Sequence, residues 1–460
     1  MGIVFDVMKL IDGDEICDYS LPQVNQPVFF NLSLEWGGIN VEAKEKAILV
    51  GVNLNNKPDF AYSMEELFNL AEACEIEIVG EKSQNMNAVN PAHYIGKGKI
   101  QETAALLEEQ DANLVICNDE LSPTQIRNLE SILDCQVIDR TVLILDIFAQ
   151  RAKTKEAQLQ VEIATLQYML PRLTGLGVTL SRQGGGGGTG LRNRGGGEKK
   201  LELDRRKIED RISGLNKELE TLVTQRQNQR KRRKKNDIPV IALVGYTNTG
   251  KSTVLNAIMD LYNPTTEKQV FEKDMLFATL ETSVRGIKLP DNKSFLLTDT
   301  VGFISKLPHH LIKAFRSTLE EVAEADTLIH VVDYSNPHYE QQMEVTRETL
   351  RDLGAANIPV IHAYNKIDLV DEEIPESAGD HVYISAKRKV GIERLVQAIR
   401  QHAFAQYVHC EMLIPYDKGN IVSYLNDYAT IKSTVYEGDG VLISMECKEA
   451  VFERYQQYVL

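Results

Sequence analysis

Between Ala47 and Thr141 short apolar blocks alternate with stretches of helical spacing. AILVGVNL (47–54), EIEIVG (75–80), NLVICND (113–119) and QVIDRTV (136–142) are brief and rich in branched residues, as buried strands are. Between them, 63–75, 97–110 and 123–133 repeat apolar residues three and four apart, the spacing of a helix with one buried face. Ser63 followed by Glu66 reads as a capping box at the first helix. Strand–helix alternation predicts a small parallel α/β domain over 1–141.

A longer pattern follows. From Val142 to Leu170 there is no Gly or Pro. Leu145, Ala149, Ala152, Leu159, Ile163, Leu166 and Leu170 keep an alternating three–four spacing, Glu156 interrupts it, and Pro171 is expected to end it. Leu201, Ile208, Ile212, Leu215, Leu219 and Leu222 repeat the seam. Two helices of about 28 residues, ~40 Å each, should pack antiparallel over 142–236. Between them lies SRQGGGGGTGLRNRGGGEKK, with nine glycines in 184–197. A free linker would separate two compact bodies. Here both flanks belong to one hairpin, which places the glycines at its tip. Bare backbone N–H groups and the guanidinium forks of Arg182, Arg192 and Arg194 suit the phosphates of folded RNA. Composition alone still permits a disordered linker.

Composition narrows the class. The chain has 460 residues and a net charge of −15, so its surface as a whole repels polyanions. Against that, the run 226–235 holds seven basic residues and no acid, which points to local docking on nucleic acid. No stretch approaches the ~18 apolar residues of a membrane span, and the first residues lack the order of a signal peptide. A cytoplasmic protein without stable membrane insertion is expected. None of the six cysteines forms C-x-x-C spacing, which argues for reduced thiols and no zinc site. Gly96-Lys97-Gly98-Lys99 fits no common phosphate loop and reads as a basic turn opening a helix.

The chemistry lies in PVIALVGYTNTGKSTVLNAI: an apolar strand, a glycine turn and an amphipathic helix. Gly245, Tyr246, Thr247, Asn248, Thr249, Gly250, Lys251 and Ser252 spell G-x-x-x-x-G-K-S. In that pattern backbone N–H groups cradle phosphates, the lysine reaches the β- and γ-phosphates, and the serine hydroxyl ligates Mg²⁺. Asp299-Thr300-Val301-Gly302 ends a strand: Asp299 can hold the metal through water, and the Gly302 amide can sense the γ-phosphate. Asn365-Lys366-Ile367-Asp368 ends another. The Asp368 carboxylate can accept from both N1–H and N2–H of guanine, donors adenine lacks, at roughly 1.5–3 kcal/mol for each charge-assisted bond. Ser385-Ala386-Lys387 would close over the base.

With these motifs in order, residues 238–403 resemble a translation-factor-type GTPase domain. The resemblance makes Thr279, within Phe277-Ala278-Thr279-Leu280-Glu281, the switch threonine that binds Mg²⁺ and the γ-phosphate. Where Ras-type proteins carry a water-orienting glutamine, this chain has Phe303, so slow intrinsic hydrolysis of GTP to GDP and phosphate is expected. Use of ATP is left open. Asn248 resembles the asparagine of potassium-activated GTPases, which implies a K⁺ site beside the phosphates.

The block DRTVLILDIFAQRAKTKEAQLQVEIATLQYMLPRLTGLG, with the glycine stretch and LELDRRKI after it, resembles the signature of the HflX family of ribosome-associated GTPases. That resemblance implies GTP and GDP as ligands, docking on the large (50S) ribosomal subunit and its rRNA, splitting of stalled or idle ribosomes, and a monomer. Two other classes stay open: an assembly or RNA-binding factor that uses GTP as a sensor, and a metabolic or RNA-modifying enzyme in the N-terminal domain, which shows no catalytic cluster. The expected architecture is α/β and multidomain: an N-terminal α/β domain (1–141), a long antiparallel helical hairpin (142–236), a P-loop GTPase domain with a parallel sheet (237–403) and a small C-terminal α/β domain (404–460). The last is expected to be too short for much core of its own.

Overall fold

The computed structural model describes residues 45–56, 59–173, 194–235, 238–262, 277, 282–291, 293–307, 311, 321–371 and 373–460. Contacts divide the chain into two units. The first is Met1–Gln227 together with Met275–Glu281 and Ser305–Arg316; the second is Asn228–Asp274, Thr282–Ile304 and Ser317–Leu460.

The first unit contains β1 (Lys46–Leu54), α1 (Phe60–Ala73), β2 (Glu77–Met86), α2 (Lys97–Gln110), β3 (Leu114–Cys117), α3 (Pro123–Leu133), β4 (Gln136–Asp139), α4 (Arg140–Arg151), α5 (Lys155–Leu173) and most of α6 (Arg194–Lys235). Its strands form one sheet in the order β2-β1-β3-β4, parallel throughout. Branched residues from those strands, Ile48, Val50, Val52 and Val115, bury against Ile100, Leu107, Leu129 and Leu133 of the helices.

Local chemistry moved several boundaries. Helix α1 starts at Phe60, so Ser63 is no cap: its N–H donates to Asp59 O at 3.0 Å, its hydroxyl to Asn118 Oδ1, and Glu66 pairs with Arg140. A capping box does form at α3, between Ser122 and Gln125. The uninterrupted helix expected from Val142 is two helices. Ala152 is extended, with ψ 102°, and the Thr154 hydroxyl accepts from Ala157 N at 3.3 Å, so Thr154 starts a new helix as Ser or Thr caps do. Nor does Pro171 end α5, which runs to Leu173 with the proline inside it. The second long helix spans 42 residues, well beyond the expected 28.

Helices α5 and α6 pack antiparallel. Lys155 lies 3.4 Å from Glu218, and Glu162 lies 2.7 Å from Arg211. As one index rises by seven the other falls by seven. Leu159, Ile163 and Leu215 bury between them, with Leu166, Ile212, Leu219 and Leu222 around.

The second unit has β5 (Val240–Val244), α7 (Lys251–Tyr262), β6 (Ser283–Lys288), β7 (Ser294–Asp299), β8 (Thr327–Asp333), α8 (Tyr339–Asp352), β9 (Val360–Asn365), β10 (His381–Tyr383) and α9 (Ile392–Ala403). The sheet order is β10-β9-β8-β5-β7-β6, with β6 alone antiparallel to its neighbour. After these come β11 (Tyr407–Ile414), α10 (Gly419–Tyr428), β12 (Thr430–Glu437), β13 (Gly440–Lys448) and α11 (Glu449–Arg454). Contrary to expectation, this last module has a core of its own. Alternate residues of antiparallel strands, Cys410, Met412, Ile414, Val441, Ile443, Met445 and Cys447, bury against Leu425 and Val451. Among the described residues no helix is long and apolar enough to cross a membrane.

Candidate nucleotide-binding site

The turn from β5 into α7 carries the glycine motif. Gly245 has φ 147° and Gly250 φ 90°. A Cβ on Gly245 would stand 2.3 Å from Val331 O, and one on Gly250 2.4 Å from Asn365 Nδ2, so only glycine fits either place. Asn248 at the crest is exposed, with φ 59°. Lys251 is buried, and its ammonium donates to Tyr246 O at 2.6 Å and Gly245 O at 3.2 Å. Burial pushes its pKa down to about 8, against the opposing pull of Asp299. Thr249 donates to Tyr246 O at 3.1 Å, which stiffens the turn from within.

Two strand ends meet this turn. At the end of β7, Asp299 is fully buried and its Oδ2 accepts from the Ser252 hydroxyl at 2.6 Å. Both are hard oxygen groups of the kind that hold a magnesium ion, directly or through water. Thr300 is tied to Leu243 O at 2.6 Å, and Val301 is buried beside it. Gly302 runs so close that a Cβ there would meet Thr247 Cα at 2.8 Å and Lys251 Nζ at 3.0 Å.

The Asn-Lys-Ile-Asp segment hangs on the same turn. From the end of β9, Asn365 Nδ2 donates to Thr249 O at 2.9 Å, while its Oδ1 accepts from Ala386 N at 3.0 Å. One amide thus splices the phosphate turn to the Ser385-Ala386-Lys387 loop. Asp368, next to Ile367, takes the Ser385 hydroxyl at 2.6 Å and lies 3.5 Å from Arg388 Nε. The Ser385 hydrogen bond, then the Arg388 and Lys387 charges, hold its carboxyl below the usual range. A carboxylate kept ionised in this way is what two guanine N–H donors require. Lys366 has φ 66° and reaches Asp333 at 2.7 Å.

The sequence reading missed Asp333 and Arg388. Asp333 closes the apolar strand TLIHVVD as Asp299 closes FLLTD, a signal that was available. Phe277 is described and lies in the first unit, its ring edge-on to Phe148 at 4.7 Å. Ala278, Thr279, Leu280, Glu281, Arg182 and Arg192 lie outside the described residues, as does the side chain of Arg194.

A glycine turn aimed at phosphate, with an Asn-Lys-x-Asp segment spliced to it, defines a P-loop protein that takes guanine nucleotides. Comparison with known proteins agrees. Residues 61–149 match the family model described as GTP-binding GTPase N-terminal, 151–233 the GTP-binding GTPase Middle Region, and 240–366 the 50S ribosome-binding GTPase. GTPase HflX of Caldanaerobacter subterraneus subsp. tengcongensis is 46% identical over 91% of this chain and 94% of its own. That of Escherichia coli is 37% identical over 87% and 92%. Among solved structures, a GTP-binding protein of Sulfolobus solfataricus in complex with GDP is 25% identical over 78% of this chain and 99% of its own, with a TM-score of 0.40. The chain belongs to the HflX family of GTPases. It hydrolyses GTP and is a ribosome-associated GTPase.

Proposed function

We propose that the chain docks on the large ribosomal subunit as its GTP·Mg²⁺ form and separates stalled or idle ribosomes. The observation that supports this best is the antiparallel packing of α5 on α6, through Leu159, Ile163 and Leu215. It makes one stiff arm of the segments that flank the glycine stretch, in a chain that also carries a nucleotide switch. Arg182, Arg192 and Arg194 on that stretch contact rRNA phosphates in this reading. Ser252 and Thr279 would hold Mg²⁺, with Asp299 in support, and the ion would supply charge neutralisation to the bound phosphates. Lys251 steadies the same oxygens. Asp368 selects guanine, and the Gly302 amide reads the γ-phosphate. Asn248 holds K⁺ beside the phosphates, and Phe303 leaves intrinsic hydrolysis slow.

Sedimentation with ribosomes under a GTP analogue and under GDP tests the reading. Binding to the large subunit and release of free subunits from intact ribosomes are expected with the analogue alone. Preference for immature large subunits, with intact ribosomes left whole, would move the protein to assembly. Deleting residues 184–197 should spare hydrolysis and stop splitting; normal splitting would make that stretch a linker. Equal turnover in KCl and NaCl would remove the K⁺ site.

A further inference from the structure

The chain changes units just after its γ-phosphate-sensing glycine. Phe303 belongs to the nucleotide unit: its N–H donates to Gly245 O at 3.0 Å, and its carbonyl accepts from Thr247 N at 2.8 Å. Two residues later, Ser305 belongs to the first unit. There its hydroxyl donates to Glu66 Oε2 and accepts from Arg140 Nη1 at 3.0 Å. Its carbonyl accepts from the same nitrogen at 3.2 Å. Arg140 is 1% exposed, pairs with Glu66 at 2.9 Å and donates to Ser63 O at 2.9 Å. Lys306, left-handed at φ 55°, reaches Asp119 at 2.7 Å.

This turn has taken a position that sheets of this kind reserve for ligands. With the order β2-β1-β3-β4, the direction of winding reverses between β1 and β3. Open α/β sheets bind ligands at the carboxyl ends of the strands at such a point. Asn118 and Asp119 follow β3, and the Asp119 carboxylate holds Lys306. Ser305 and Lys306 of the same unit are bonded at that end of the sheet.

A second anchor lies on the same helix. Phe277 stands two residues before Thr279. It is 2% exposed, and its ring meets Phe148 at 83°. Arg140 and Phe148 both belong to α4, eight residues and roughly 12 Å apart along its axis.

We propose that Arg140 and Phe148 are positioning residues for GTP hydrolysis. From one rigid helix they hold the segment after Gly302 and the segment before Thr279. This rests on reading those two residues as the γ-phosphate sensors. In this proposal both act through the segments they hold. Each limits where a sensing segment stands, and displacement of about 1 Å at a reacting centre costs as much as a hundredfold in rate. The Arg140–Glu66 pair suits such a role, because a buried ion pair with hydrogen bonds from both terminal guanidinium nitrogens adds little net stability yet fixes geometry.

The experiment uses the full chain with Ser305→Ala, Arg140→Lys, the double variant and Phe148→Leu. GTP turnover gives kcat and KM, fluorescent GDP titration gives affinity and the fraction of active sites, and thermal unfolding reports folding. In each variant kcat per active site should fall roughly tenfold, with KM and GDP affinity within about twofold of the parent. The double variant should be no slower than the worse single, because both changes open one contact. Ser305→Ala keeps the Arg140–Glu66 pair, so it decides the matter if Arg140→Lys does not fold. An unchanged or raised kcat in folded Ser305→Ala, or losses that multiply in the double, overturns the proposal. Thr279→Ala separates the two levels. If it keeps full kcat, the sensor reading fails; if it collapses while Ser305→Ala stays fast, only the positioning role fails.

Discussion

Among the described residues two sheets are largely parallel, with helices connecting their strands, and they differ in the turns at their carboxyl ends. Where β5 ends, Gly245 and Gly250 bend the backbone so tightly that Val331 O and Asn365 Nδ2 leave no room for a Cβ. Where β1 ends, Asn55 and Asn56 turn the chain left-handed, and α1 begins without a side-chain cap. The carboxyl end of that sheet engages Ser305 and Lys306 instead. Architecture is shared; the loop chemistry decides what each sheet does.

The sharpest break between the sheets is expected at the phosphate turn. Lys251→Ala should weaken GTP and GDP binding about a hundredfold or more by calorimetry, since the buried cation of the glycine turn is lost. Binding within tenfold of the parent would deny the lysine its place. Next comes Asp368→Asn, for which preference for GTP over xanthosine triphosphate should fall by roughly 10–100-fold; unchanged discrimination would show that another group reads the base. Gly250→Ala forces a Cβ onto Asn365 at φ 90°, a strain of about 1–3 kcal/mol. It should lower the unfolding temperature of the nucleotide unit and loosen GDP together, and a change in one without the other would uncouple the turn from Asn365.

Acid should separate the sheets as well. His330, His362 and His381 sit in register on β8, β9 and β10. Burial pushes His330 down to about 3, and burial with the His381 charge lowers His362. Both are therefore neutral when folded and ordinary, near 6.5, when unfolded. The unfolded chain then binds more protons below pH ~6.5, so stability is complete above that value and declines as pH falls toward 3. Urea unfolding of the nucleotide unit across pH 7 to 4 should show this; a flat profile would mean that other groups offset it. The smallest effect is expected in the first unit. Tyr94→Phe removes hydrogen bonds to Asp119 at 2.6 Å and from Val52 N at 3.1 Å. It should cost about 1–2 kcal/mol of stability, with nucleotide affinity unmoved.

Much of this was open to reading in one dimension. Helices 97–110 and 123–133 fall where periodicity places them, because each buries one face along a continuous stretch. The phosphate turn is equally local: the six residues between β5 and α7 dictate their own backbone. The break at Ala152 was legible in principle, through Thr154 as a cap, but the apolar seam runs straight through it and hid it. Ser63 and Glu66 misled for the opposite reason. They have capping spacing, yet their partners are Asn118, Arg140 and Ser305, all distant in the chain.

By itself, then, the sequence determined what is periodic or contiguous: the order of strands and helices, the glycine turn, the Asn-Lys-x-Asp segment at the end of its strand. Folding in three dimensions decided which residues far apart in the chain become one contact. Glu66, Arg140 and Ser305 share no spacing that a pattern could reveal. Burial makes their partnership obligatory, because a charge or hydroxyl removed from water must find its complement wherever the fold brings one.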